Sequence, residues 1–354
     1  MGIHRLEKSA LPSKATVSKA DLLSMFTEMA TMRRLEIVSD QLYKKREIRG
    51  FCHLYDGQEA IAEGMERGMT RKDAIITAYR DHCQAYKRGD TTYEILAEMM
   101  AKHTGSSKGK GGSMHYYNSK ERFYGGNGIV GAQLPVGTGL AFAMRYKNED
   151  AFACALYGDG AGNQGQLYEA ANMAGIWNLP IVYICENNHY AMGTAQKRHA
   201  HNTAFHQRGD LIPGLYVDGQ NVLMVREVMK FAGEYAKKNG PLFLEFDTYR
   251  YHGHSMSDPG ITYRTKDEVA NVRQTRDPVE ICRRMILDHS WASEAELKDI
   301  EKGIRKRLDQ EVEQIRKDPF PPKEELYTDV GVTKGHYIRG VNIETSIDIP
   351  EGGH

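Results

Sequence analysis

The most regular pattern of apolar and polar positions in the chain lies between Ala151 and Met192. One short apolar run, AFACALY, stops at Gly158, and a second, PIVYIC, ends in Glu186-Asn187-Asn188. Between them, NQGQLYEAANMAGIW has the length and the Ala, Leu and Met content of a helix. The pattern predicts a βαβ unit with two buried parallel strands. Ligand sites in parallel sheets lie just beyond the carboxyl ends of the strands, so Gly158-Asp159-Gly160 and Glu186-Asn187-Asn188 are expected to face one crevice.

Upstream, KADLLSMFTEMATMRRLEIVSDQLYKKREI repeats apolar residues at helical spacing, from Leu22 to Val38, and predicts a long helix ending at Gly50. GFCHLYDGQEAIAEGMERGM reads as a polar loop entering a second helix, and DAIITAYRDH as a strand. From Lys102 to Gly131 the chain is Gly-rich and polar, a long loop of the kind that is either functional or disordered. LPVGTGLAFAMRYK reads as a helix packed on the sheet, and GTAQKRHAHNTAFHQRGD as a polar, His-rich loop. A helix is expected from about Val225 to Lys238, then a strand, PLFLEFDTYRY, running into the loop YRYHGHSMSDPGITYR. Residues from about 277 to 317 are charged and helical by pattern, and the prolines of DPFPP stop them. The expected architecture is α/β: a mostly parallel sheet with helices on both faces, an N-terminal helical extension and a C-terminal helical segment. Residues 1–18 read as a tail, 19–330 as one domain and 331–354 as a second tail.

Composition narrows the function classes. The 47 basic and 47 acidic residues cancel, which favours neither nucleic acid nor a membrane surface as partner. No apolar run approaches the roughly 18 residues that a membrane-spanning helix needs. The five cysteines are odd in number, scattered and never spaced as CxxC, which argues for a reducing compartment and against a structural zinc. Position 6 is Leu, against N-myristoylation of Gly2, and no secretory or organelle presequence is visible.

The chemistry implied at the strand ends is that of a diphosphate with a divalent cation. Gly158 and Gly160 let the backbone turn and approach a ligand, and the following helix directs its N-terminal amides at an anion. Asp159, Asn188 and a backbone carbonyl near Tyr190 offer hard oxygens suited to Mg2+. Arg80, at the end of an apolar strand, suits a diphosphate. His53, in a Gly-flanked loop, suits proton transfer near neutral pH. His199, His201 and His206 invite a metal hypothesis, but the loop lacks a second paired element. A degenerate nicotinamide-binding turn stays open as the competing class. It lacks the third glycine in register, and Asp159 would repel a pyrophosphate that came without a metal.

GDG, then 26 residues, then NN resembles the cofactor motif of thiamine-diphosphate-dependent 2-oxo acid dehydrogenases. GFCHLYDGQEA with DAIITAYRDH, and YHGHSMSDPG, are similar to the eukaryotic alpha subunits of the pyruvate dehydrogenase (acetyl-transferring) branch; the resemblance covers roughly residues 20–330. It implies a thiamine-diphosphate-binding fold and oxidative decarboxylation of pyruvate, with reductive acetylation of the lipoyl group of dihydrolipoyl acetyltransferase. By the same resemblance Tyr79, Arg80, Gly128, Val130, Gly160, Ala161 and Arg250 bind thiamine diphosphate, Asp159, Asn188 and Tyr190 hold Mg2+, and His53 and His254 lie at the reacting centre. Ser255 is the implied inhibitory phosphorylation site, acted on by a kinase and a phosphatase. Thr262 and Ala195 stand where further phosphoserines are usual. No glutamate is assignable as activator of the aminopyrimidine, which the resemblance assigns to a beta subunit in an alpha2-beta2 heterotetramer of the mitochondrial matrix. An acetoin or branched-chain 2-oxo acid dehydrogenase alpha subunit, or a non-catalytic cofactor-binding scaffold, are the other readings.

Overall fold

The computed structural model describes residues 2–330; the second expected tail, 331–354, lies outside the described residues. In chain order the elements are β1 (Gly2–His4), α1 (Lys19–Lys44), α2 (Glu59–Gly68), β2 (Ala74–Ala78), α3 (His82–Lys87), α4 (Thr92–Met99), β3 (Phe123–Asn127) and α5 (Gln133–Tyr146). There follow β4 (Ala153–Gly158), α6 (Gly165–Ile176), β5 (Ile181–Asn187) and a small hairpin of β6 (Tyr190–Ala191) and β7 (Thr194–Ala195). Then come α7 (Gln196–His199), β8 (Gly214–Asp218), α8 (Val222–Asn239), β9 (Leu242–Asp247), α9 (Lys266–Arg276), α10 (Pro278–Asp288) and α11 (Glu294–Ile315).

Seven strands form one sheet in the order β1-β8-β9-β5-β4-β2-β3, parallel throughout except for β1, which runs antiparallel to β8. Successive strand side chains point to opposite faces, and the sheet therefore carries two cores. On one face Val182 and Ile184 of β5, with Cys154 and Leu156 of β4, join Val225, Val228 and Met229 of α8 and Ile61 and Met65 of α2. On the other, Ile181, Tyr183 and Cys185, with Ala153, Ala155 and Tyr157, join Leu134 and Met144 of α5 and Leu167 and Ala171 of α6. The α5 crossing is close because small residues meet: a methyl on Gly137 would sit 2.8 Å from Ala155 Cβ. A third cluster packs Phe26 and Met29 of α1 against Cys282 and Ile286 of α10 and Leu297 of α11. Arg33 of α1 fastens this layer to the domain, bridging Glu59 of α2 and, at 2.8 Å, Asp277 at the start of α10.

The βαβ unit forms as its pattern predicts, with β4 and β5 in parallel register from Ala153↔Ile181 to Gly158↔Glu186. Other expectations are corrected. The first helix ends at Lys44, six residues before Gly50, where polar KKRE offers nothing to bury and Arg46 turns left-handed at φ 61°. Five strands depart from the sequence expectation, the short β6 and β7 among them. β3 is hidden in a Gly-rich stretch that reads as loop, and a methyl on Gly126 would lie 2.2 Å from Asp81 Oδ2 and 2.3 Å from Met114 O. β8 is bracketed by turn residues, and β1 lies within the segment expected to be a tail. Helix α8 starts three residues earlier than expected because the Asn221 side chain caps it, accepting from Leu223 N and Met224 N at 3.1 Å. Lys266–Arg276 is a helix of its own, ahead of the expected C-terminal segment.

Candidate active site

From β2 the chain steps outward to β3, and from β4 it steps the other way to β5, so the strand order reverses between β2 and β4. A crevice opens at such a reversal, beyond the carboxyl ends of the strands. The cleft there is about 990 Å³. The loop after β2 contributes Tyr79 and Arg80, and the loop after β3 contributes Gly128 and Val130. From β4 come Asp159, Gly160 and Ala161, and from β5 and the following hairpin Asn188 and Tyr190. His53, from the loop before α2, and His254 and Ser255, from the loop after β9, close it. Every residue that the resemblance assigns to cofactor, metal, reacting centre or the Ser255 phosphorylation site thus lines one cleft except Arg250. Arg250 is fully buried behind the wall, donating to His252 O at 3.0 Å and to the Tyr263 hydroxyl at 3.2 Å.

The electrostatics of the cleft favour an anion. Arg80 is only 6% exposed and donates to Leu54 O at 2.6 Å and His254 O at 2.9 Å. Neither it nor Arg250 has a carboxylate partner among the described residues, and Arg250 Nε is buried without any partner. Two buried cations without counter-ions raise the local potential, and a buried charge is stable only once paired. Burial, with Arg80 as neighbour, lowers the pKa of Arg250 itself.

The two histidines register the same field. The His53 ring lies 4.4 Å from Tyr79 and 5.1 Å, edge-on, from His254. Burial, then Arg80 and His254, push the His53 pKa down to about 2. Burial, then Arg80 and Arg250, push His254 down to about 3. Both rings are neutral near pH 7, each with one donor and one acceptor nitrogen, and His53 Nδ1 is buried and unpartnered.

The oxygens expected to hold a cation also come together. Asn188 Nδ2 donates to Gln58 Oε1 at 3.1 Å, which turns Asn188 Oδ1 the other way, buried and without a partner. Asp159 is buried, and one of its oxygens, Oδ2, contacts His199 Nε2 at 2.9 Å. The β4 turn presses on the hairpin so closely that a methyl on Gly160 would sit 2.6 Å from Ala191 Cβ. An orphaned amide oxygen, a buried carboxylate and a turn with no room for a side chain fit a hard divalent cation bridging to phosphate. The other histidines do not make a metal centre. His206 bonds Glu245 at 2.7 Å, away from His199, His201 is exposed, and no cluster of three ligating side chains of the His, Cys, Asp or Glu type occurs among the described residues.

Sequence reasoning missed the contacts of three residues. Gln58 was visible only as part of the DGQEA segment, and its contact with Asn188 crosses 130 positions. His199 belonged to the His-rich loop, but nothing local links it to Asp159. Glu186 stands at the end of β5, takes a hydrogen bond from the Tyr55 hydroxyl, and faces the cleft. Burial pushes its carboxyl up to about 7, against the lowering effect of Tyr55 and Arg80.

The loop carrying His254 and Ser255 is pinned from beneath. Arg264 donates to Arg250 O at 2.7 Å, Tyr251 O at 3.0 Å and His252 O, while Asp258 accepts from His254 N at 2.6 Å. Ser255 Oγ lies 2.9 Å from Ser257 Oγ.

The family model of the dehydrogenase E1 component matches residues 27–324. Over 334 residues the chain is 56% identical to the pyruvate dehydrogenase E1 component subunit alpha, mitochondrial, of Solanum tuberosum, covering 94% of this chain and 84% of that protein. It is 54% identical to the Dictyostelium discoideum protein of the same name, over 95% of this chain and 89% of that one. With the protein named probable pyruvate dehydrogenase E1 component subunit alpha, mitochondrial, of Caenorhabditis elegans, it shares 48% identity over 98% and 87% respectively. A parallel sheet with its cleft at the strand-order reversal, and likeness on this scale, place the chain in the dehydrogenase E1 component family, whose members depend on thiamine diphosphate.

Proposed function

We propose that this chain is the alpha subunit of a pyruvate dehydrogenase. It acts with a beta subunit, in the mitochondrial matrix, to decarboxylate pyruvate oxidatively and pass the acetyl group to the lipoyl group of dihydrolipoyl acetyltransferase. The observation that carries this reading is the convergence, in one cleft, of Asp159, the unpartnered Asn188 Oδ1 and the uncompensated Arg80. These residues suit Mg2+ and a diphosphate together and suit neither a nicotinamide dinucleotide without metal nor an inert scaffold.

Thiamine diphosphate, when bound, supplies the electron sink that allows a 2-oxo acid to lose carbon dioxide. The chain's own residues do the rest. Asp159, Asn188 and the Tyr190 backbone hold Mg2+, while Arg80, with Arg250 behind it, offsets diphosphate charge. Tyr79 and the Gly128, Val130, Gly160 and Ala161 backbones shape the cofactor's seat. His53 and His254, neutral and adjacent, each have one N–H to donate to the carboxylate or the oxo oxygen of pyruvate, and one bare nitrogen left to take up a proton. Ser255, beside His254, is where a kinase-added phosphate of about −1.5 to −2 charges would oppose the anions in the cleft, and a phosphatase would restore it. The rim supports the need for a partner: Phe51 and Met192 line the cleft with more than half their surface exposed, and Ile129, between the lining residues Gly128 and Val130, is exposed as well.

The test is calorimetric titration of thiamine diphosphate with Mg2+ into the chain, alone and co-expressed with the beta subunit, followed by pyruvate turnover with an artificial electron acceptor. Metal-dependent binding, and turnover only with the partner, are expected. Turnover by the chain alone would refute the shared site, and no binding in either state would refute the cofactor.

A further inference from the structure

The His-rich segment after the β6–β7 hairpin is conspicuous in sequence, yet none of its histidines lines the cleft. We propose that His199, locked into one tautomer by Asn163 and Arg208, is a positioning residue that orients the Asp159 carboxylate for a divalent cation. The inference rests on the reading of the cleft as a thiamine diphosphate and Mg2+ site.

A directional chain of hydrogen bonds carries it. Arg208 has no acceptor, and its Nη1 donates to Asn163 Oδ1 at 2.9 Å, which decides how the Asn163 amide is turned. The Asn163 Nδ2 then donates to His199 Nδ1 at 2.8 Å. A neutral imidazole whose Nδ1 accepts carries its proton on Nε2, and that nitrogen faces Asp159 Oδ2 at 2.9 Å. Arg208 is itself fixed, donating to Gly162 O and Asn202 O at 2.7 Å and lying over the Phe205 ring at 4.6 Å. The chain begins at a guanidinium held on four sides and ends on a buried carboxylate. With Oδ2 engaged by an N–H, Asp159 cannot swing freely about its last torsion, and Oδ1 is the oxygen left for a cation. Carboxylates that bind metals are commonly held by such supporting hydrogen bonds, and losing one typically costs about 10–100-fold in metal affinity.

The test uses the full chain in complex with its beta subunit and Mn2+ as the probe, with free Mn2+ read by electron paramagnetic resonance in the presence of thiamine diphosphate. His199→Phe keeps the bulk and removes the donor. It should raise the apparent Mn2+ dissociation constant by about tenfold to a hundredfold, with the unfolding temperature of the metal-free complex unchanged. His199→Gln, which keeps an N–H near the place of Nε2, should recover most of the affinity. Asn163→Leu, which frees the tautomer, should fall between them. Parent-like Mn2+ binding by His199→Phe would overturn the proposal. So would equal losses in Phe and Gln, which would trace the effect to packing rather than to the donor. A parent complex that binds no Mn2+ with thiamine diphosphate would overturn the functional reading, and this proposal with it.

Discussion

His53 and His254 show how much a residue's chemistry depends on neighbours far away in sequence. As isolated imidazoles they would titrate near 6.5; folded, burial and Arg80 hold them at about 2 and 3. Below about pH 6.5 the unfolded chain takes up protons that the folded chain refuses. Stability is therefore lost as pH falls through 6.5, at ~1.4 kcal/mol per pH unit for each ring. Replacing His53 by Gln removes one ring's share, and denaturant unfolding of the free chain between about pH 5 and about pH 4 should show a slope shallower by that amount. An unchanged slope would mean that the folded ring is already protonated. Asn188 belongs to the same scale. In the proposed site its orphaned Oδ1 is a ligand position, and Asn188→Ala should then weaken Mg2+-dependent thiamine diphosphate binding, read by calorimetry, by more than the roughly 10–100-fold typical of losing a supporting residue. The identities of these residues were legible as motifs. The shift of each histidine was not, because it comes first from burial and then from a guanidinium 27 positions from His53 and 174 from His254.

At the scale of elements, periodicity was a reliable guide wherever a segment has one buried face, as in α1, α5 and α8, or two, as in β4 and β5. It failed where glycine does the work. β3 is a strand because Gly126 lets the backbone pass against Asp81, a reason invisible to an apolar count. Glycine also sets the α2–α8 crossing, where a methyl on Gly64 would lie 2.6 Å from Val225 Cβ and 2.8 Å from Val222 O. Gly64→Ala should destabilise the chain by ~1–3 kcal/mol through overpacking, measured by denaturant unfolding. The loop after β9 responds differently. Ser255 is 6% exposed and sits against Ser257, so Ser255→Glu forces a larger, charged side chain into a buried seat. Limited proteolysis should then cut within residues 252–264 faster than in the parent, while the melting temperature of the rest of the domain stays unchanged.

For the whole molecule, the sheet order decides what the motifs mean. Residues from six separate segments meet only because the chain reverses direction between β2 and β4. The cleft they form opens between exposed apolar residues, with Ile129 73% exposed. Ile129→Asp should leave the isolated chain folded and reduce co-purification with the beta subunit; undiminished association would place the contact elsewhere. The sequence alone determined the α/β class, the central βαβ unit, the two strand-end motifs and the family, because buried periodicity and short motifs are local and each residue's pattern is complete within its own segment. The tertiary structure decided what is non-local. It placed the edge strands, set Arg250 behind the cleft wall rather than in it, depressed the histidine pKa values, and joined His199 to Asp159 across 40 positions. Burial, counter-charge and hydrogen-bond partners are properties of space, and no local stretch of sequence carries them.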